Sequence, residues 1–323
     1  MEISIDEFKE QYFPALQSKF HQDTTNSIIQ NMDRIKNSLC EQMDMFVKLV
    51  VRLQQELLVE IGMIQVALLN TSLYLGKPQI AYTAYNKDGY FGQELLTVKR
   101  DAKWLFETWD DYKASIENKV AELHAENYIR SEAVRQLAWE SFPFLQTCLY
   151  VTSKYIFRDT EQFPEFGKMI VTPNFFIRVG AYMDWGKIVY ARRDEADIFF
   201  DVHKRDFIFH RFHKVVYSHK VFQYLDLSST VFTECEFVYC KFENVILNDA
   251  WFRKCRIYYC TFENVKLLGL TLEQTTMKKT MFQNCITSVD VASGQSKDSD
   301  DIYRPIMTID CTIDEESRIR GEA

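Results

Sequence analysis

The chain lacks the signatures by which an enzyme is usually recognised. No Gly-x-Gly-x-x-Gly, His-Glu-x-x-His or Gly-x-Ser-x-Gly occurs, so the short motifs for dinucleotide binding, zinc proteolysis and an activated serine are missing. Gly180 to Lys187 ends in Gly-Lys, but five residues separate its glycines and Ile188 follows the lysine. A phosphate-cradling loop needs four residues there and a Ser or Thr after the lysine. Glu107, Asp110, Asp111 and Glu117 lack the Glu-x-x-His pairs of a di-iron site and read as a solvated helix face.

A basic excess is also missing. The net charge of −8 argues against a nucleic-acid-binding chain. The most apolar stretch, Phe46 to Leu69, is broken by Lys48, Arg52, Glu56 and Glu60, which argues against a membrane span. The start, MEISIDEFKE, has no basic segment ahead of an apolar run, so no secretory signal is expected. A cytoplasmic location is the expectation, in which the eight cysteines would stay thiols.

What is present is a repeat. From Arg205 to Cys285 every fifth residue is apolar, and the run Phe232, Phe237, Phe242, Leu247, Phe252, Ile257, Phe262, Leu267, Leu272, Met277 and Phe282 is its centre. Such a period fits neither an amphipathic helix nor a flat strand. The backbone must turn a corner every five residues. Two places before most of these centres sits a compact residue, among them Cys235, Cys240, Cys255 and Cys260. Squared coils have four faces per turn, and EFVYCKFENV at Glu236 to Val245 returns twenty residues later as RIYYCTFENV.

In these residues the chain resembles the pentapeptide-repeat family, whose members wind a right-handed quadrilateral β-helix. The resemblance is specific from Leu225 to Cys285. Arg205, His210 and Lys220 stand in the small-residue column of the first coil, and stacking them inside carries a desolvation cost, so an irregular lead-in is expected there. The centres from Phe222 to Phe282 make a little over three coils, a rod about 15 Å long at 4.8 Å per coil. Its open ends need caps.

The four cysteines are spaced by five and fifteen residues, whereas zinc ligands usually come two to four apart. They read as compact hydrophobes filling the inner corner. His210 and His213 lie near Asp201 and Asp206, but the five-residue register points the two histidines to opposite sides, so no metal site is expected. Charges from Val221 to Cys285 balance, seven acidic against seven basic. Some members of the family inhibit DNA topoisomerases through a long acidic surface, and this balance disfavours that role. On the outside, Asn244, Asn264 and Asn284 line one face and suggest an amide ladder. Tyr239 and Tyr259, with Trp251, suggest a contact patch.

Ahead of the repeat, Ser4 to Leu75 reads as helix, bent at Pro14 and interrupted at His21 to Thr25. Apolar positions from Ile29 to Leu75 recur at helical steps, predicting one very long helix or two kinked near Gly62. Core packing or a coiled-coil homodimer seam would cover that stripe. Gly76 to Gly92 suggests a hairpin or ordered loop, with helix from Gln93 past Lys119 and again from Ala125 to Phe157.

The expected organisation is an α+β multidomain chain: a long-helix bundle at 1–158, an aromatic-rich connector at 159–204 that caps the first coil, and the pentapeptide-repeat β-helix at 205–286. A flexible loop at 287–301 and a capping strand and tail at 302–323 would follow. The expected role is a non-enzymatic interaction or scaffold protein, with another protein or peptide as partner and no cofactor. An accessory protein for peptide maturation and a topoisomerase-directed DNA mimic remain as alternatives.

Overall fold

The computed structural model describes residues 3–74, 77–182, 186–192, 198–199, 205–287 and 306–317. It divides into two compact units, Met1–Tyr190 and Ala191–Ala323.

The first unit opens with α1, Ile5–Gln11, started by a capping box. The Glu7 N–H donates to Ser4 Oγ at 3.2 Å and the Ser4 N–H donates to Glu7 Oε2 at 2.9 Å. Pro14 sits in the first turn of α2, Phe13–Gln30, where its missing N–H costs nothing. Contrary to expectation, α2 runs through His21–Thr25. Packing overrides the weak local propensity there: Thr24 Oγ1 lies 2.6 Å from Thr108 Oγ1, and the His21 ring stacks on Phe144 at 3.8 Å. The break falls at Asn31, before α3, Met32–Leu57.

The long-helix expectation fails past Leu57. Leu58 is left-handed at φ 51°, and β1 follows at Ile61–Leu68. IGMIQVAL is almost wholly apolar, so its apolar residues satisfy a helical step as readily as a strand buried on both faces. Gly62 marks close approach between chain segments rather than a kink, since a Cβ there would lie 2.6 Å from the Asn86 carbonyl oxygen. After the short α4, Asn70–Tyr74, come β2, Gln79–Tyr85, and β3, Glu94–Asp101. The helix expected from Gln93 is therefore a strand at first, and α5 begins only at Trp109, ending at Glu122. Next are α6, Ser131–Trp139, and α7, Phe142–Phe157, the latter with Pro143 in its first turn.

The expected connector is divided at Tyr190, and its larger part belongs to this unit. Its β4, Val171–Ala181, and β5, Gly186–Ala191, complete a five-stranded sheet in the order β3-β2-β1-β4-β5. β1 runs antiparallel to β2 and parallel to β4. Residues 1–190 thus form a helix-and-sheet unit rather than a helical bundle. One sheet face, with Ile64, Val66, Tyr82 and Ile177, shares a core with Leu39, Phe46 and Val50 of α3 and Leu145 and Leu149 of α7. From Ile35 to Val50 the apolar stripe of α3 is buried within its own chain, while Met32 and Leu57 at its ends are 38% and 56% exposed.

In the second unit, three-residue strands pair in parallel with those twenty residues ahead: Val216–Ser218, Glu236–Val238, Arg256–Tyr258 and Thr276–Lys278 form one such series. Two further series lie on other faces, and a fourth side is joined by single bridges through Asp206, Asp226, Ile246, Lys266 and Ile286. Every fifth residue from Phe209 to Asn284 has φ between 48° and 68°, Gly269 being the one glycine among them. These left-handed residues are the corners. Most of them donate their N–H to a carbonyl of the next coil, as Tyr239 does to Tyr258 at 3.0 Å, whereas the Lys279 N–H donates to the Asp314 carboxylate at 2.8 Å. The centres from Phe207 to Met277 are buried.

The first coil is regular, not an irregular lead-in. Arg211–His213 pairs in register with Val231–Thr233. His210 is buried, whereas Arg205 and Lys220 are exposed, because an end coil lets long side chains leave the stack. Lys220 Nζ lies 5.1 Å from the Phe199 ring centre. Phe199, within the expected connector, also meets Phe222 at 5.0 Å and Tyr217 at 5.9 Å. At the other end Met307–Ile309 pairs with Thr271–Glu273, and Thr312–Ile313 with Thr276 and Met277. The Ser317 hydroxyl accepts the Thr280 N–H at 3.0 Å. The expected loop at 287–301 lies, save for Thr287, outside the described residues.

Candidate interaction surface

The compact inner column is a ladder of weak donors. Cys235, Cys240, Cys255 and Cys260 direct their Sγ to the carbonyls of Phe212, Tyr217, Phe232 and Phe237 at 3.3 to 3.5 Å. Thr275 does the same to Phe252 at 3.0 Å. Each reaches twenty-three residues back, binding one coil to the previous one. Hydrogen bonding to Cys235 and Cys240, then burial, push Cys255 and Cys260 far above the ordinary thiol range. The same hydrogen bonds lower their partners Cys235 and Cys240, the latter to about 7, so only Cys255 and Cys260 are held as unreactive thiols.

Outside, the corners carry the candidate surface. Tyr239 and Tyr259 stack at 4.8 Å and 14°, and are 52% and 44% exposed. His219 extends the column, 5.1 Å from Tyr239 at 23°. Lys279 closes it, with Nζ 5.5 Å from the Tyr259 ring centre. The order along the rod is therefore His219, Tyr239, Tyr259, Lys279, an alignment that the notice of tyrosines twenty apart only half anticipates.

Trp251 does not belong to this patch. It is 6% exposed, on a different strand series from Tyr239 and Tyr259. Asn244, Asn264 and Asn284 do form a column, but no hydrogen bond joins their amides among the described residues. They occupy left-handed corners at φ 53°, 55° and 52°, a conformation asparagine tolerates better than most residues. Backbone geometry, not an amide ladder, explains them.

Of the histidines considered for a metal, His210 is buried while His213 faces outward, 3.9 Å from Glu234. His203 and Asp201 lie outside the described residues. Among the described residues no group of three or more His, Cys, Asp or Glu side chains is placed to hold a metal ion, and no helix is long and apolar enough to cross a membrane.

The first unit contains a polar network that sequence reasoning missed. Glu94 Oε1 accepts from the hydroxyls of Tyr85 and Tyr182, each at 3.2 Å, while Oε2 accepts from Thr97 at 3.3 Å. The Tyr85 hydroxyl also lies 3.2 Å from Gln65 Oε1, so its single hydrogen is shared between that oxygen and Glu94. Burial, then the Glu94 carboxylate, raise the Tyr182 hydroxyl above its usual value. No spacing could have revealed this cluster, because its members come from β1, β2, β3 and the residue after β4.

No family model and no curated protein matches this chain. Among solved structures it is similar to a pentapeptide repeat protein, Rfr23, from the cyanobacterium Cyanothece 51142, at 11% identity and a TM-score of 0.25. That likeness covers 35% of this chain and 89% of that one.

Proposed function

We propose that this chain is a non-enzymatic protein-interaction protein, whose second unit winds as a right-handed quadrilateral pentapeptide-repeat β-helix and presents its corners to another protein or peptide. The exposed, mutually stacked Tyr239 and Tyr259 carry this reading. Their backbones are pinned by the corner hydrogen bonds, so ordering them on binding costs little entropy, and tyrosine is enriched in interface cores. The balanced charge of the rod gives it little of the acidic field that imitation of DNA requires.

The test is in-cell crosslinking followed by mass spectrometry, comparing wild type with a Tyr239→Ser, Tyr259→Ser double variant of unchanged circular dichroism. Partners recovered with wild type and lost from the variant are expected. An identical partner set from both would reject these corners as the contact.

A further inference from the structure

We infer that the stacked pair Cys240 and Cys260 is a two-thiolate site for copper(I), a soft monovalent cation held between adjacent coils of the rod. This goes beyond the interaction role proposed above and does not depend on it.

The register of the coils sets the spacing. Val238 pairs with Tyr258 on one side of the cysteines and Lys241 with Thr261 on the other, so the two thiols occupy the same place one coil apart. Each Sγ meets the equivalent two carbonyls. Cys240 meets those of Tyr217 and Val238 at 3.3 and 3.6 Å, and Cys260 those of Phe237 and Tyr258 at 3.5 and 3.4 Å. One sulfur is therefore the other carried forward by one coil. The flanking rings give that step, 4.8 Å between Tyr239 and Tyr259 and 4.4 Å between Phe242 and Phe262. Two metal–thiolate bonds of about 2.3 Å laid end to end span about 4.6 Å, which matches it.

The same spacing sorts the alternatives. A disulfide needs sulfurs about 2 Å apart, and backbone bonds such as that from the Thr261 N–H to the Cys240 carbonyl at 2.9 Å fix the separation of the coils. Zinc takes four ligands in a tetrahedron, whereas this column offers two in a line. Soft thiolates select copper(I), whose filled d shell accepts a linear pair of ligands. The carbonyl oxygens around the thiols would repel a bare thiolate pair but favour one with a cation between its sulfurs.

On binding, the cation itself drives off the thiol protons. Each thiol releases one proton to solvent, two copper–sulfur bonds form and no electron is transferred, so the neutral pair gains one negative charge. Lys220 precedes Cys240 in the same column, one coil earlier, and its ammonium is close enough to act on that thiol. It offsets the charge of the loaded site. The corresponding neighbours of Cys235 and Cys255 are Val215 and Thr275, so that pair has the same sulfurs without the cation beside them.

The experiment uses the full chain, reduced and under argon, with copper(I) supplied as its coloured bicinchoninate complex, whose bleaching reports transfer to the protein. One equivalent should be withdrawn tightly, and X-ray absorption should show its copper bound by two sulfurs. Cys240→Thr and Cys260→Thr should each abolish the tight equivalent. Threonine is already the residue of this column at Thr280, bonded to the Ile257 and Lys278 carbonyls, so circular dichroism should be unchanged. Cys235→Thr should keep the tight equivalent, and Lys220→Gln should weaken it about tenfold. Failure of copper to transfer, a tight equivalent that survives Cys240→Thr, coordination by three or more sulfurs, or equal loss in Cys235→Thr overturns the assignment. None of these outcomes touches the corner contact, which crosslinking tests separately.

Discussion

His21 shows how a single side chain can make stability depend on pH. Its ring stacks on Phe144, its Nε2 is buried without a hydrogen-bond partner, and burial lowers its pKa from 6.5. A lowered folded-state value means that the unfolded chain binds the proton more tightly. The contribution is therefore present above about pH 6.5 and is lost as pH falls below that value toward the folded-state one. Urea midpoints at pH 5.5 and pH 8 should differ less for His21→Phe, which keeps the stacked ring, than for wild type. A second residue-scale prediction concerns the corners. Gly269 sits at φ 68°, and Gly269→Val should cost on the order of 1–2 kcal/mol in urea unfolding, since a β-branched side chain is poorly tolerated there. Thr261→Val, which places valine at an extended strand position, should cost far less.

At the scale of elements, Gln54 ties two of them together. Its Nε2 donates to the Val59 and Ile170 carbonyls at 2.8 and 2.6 Å, and its Oε1 accepts the Ile170 N–H at 3.0 Å. The side chain thus fixes the end of α3 beside the start of β4, more than a hundred residues away. Gln54→Leu leaves these groups unpaired, with an expected loss of about 1–3 kcal/mol. Hydrogen exchange at the Ile170 amide should accelerate ahead of global unfolding; unchanged protection would show that the tie is dispensable. This element also marks the limit of what the sequence discloses. The five-residue period was legible because each repeat meets only its neighbours, so local spacing is the fold. In the first unit, by contrast, β1 is apolar on both faces and its partners β2 and β4 are assembled from distant segments. Periodicity there could not distinguish Ile61, Ile64 and Leu68 on a strand from the same residues on a helix. The candidate surface was half legible for a related reason: Tyr239 and Tyr259 share a column by register, but the burial of Trp251 depends on tertiary context that spacing does not encode.

For the whole molecule, the contrast is between a unit with one shared core and a rod stabilised coil by coil. In the rod, Phe242 lies between Phe222 and Phe262, 4.4 Å from each and within 6° of parallel, whereas among the described residues Phe282 at the end of the same column stacks on Phe262 alone, at 4.8 Å. Removing a ring flanked on both sides leaves a cavity that neighbouring backbone, bonded at fixed intervals to the next coil, cannot close. Phe242→Ala should therefore cost about 3–5 kcal/mol. Phe282→Ala, at a partly exposed position, should cost clearly less. Because solenoid stability is approximately a sum over nearest neighbours, the loss should spread along the rod and need not reach the separate core of residues 1–190. Hydrogen exchange resolved by peptide mass spectrometry checks this directly: in Phe242→Ala, amides from Arg211 to Gln283 should lose protection while those of α3 and β1 keep theirs. Equal loss in both units would mean that the two cores unfold as one cooperative body, and the coil-by-coil account of stability would fail.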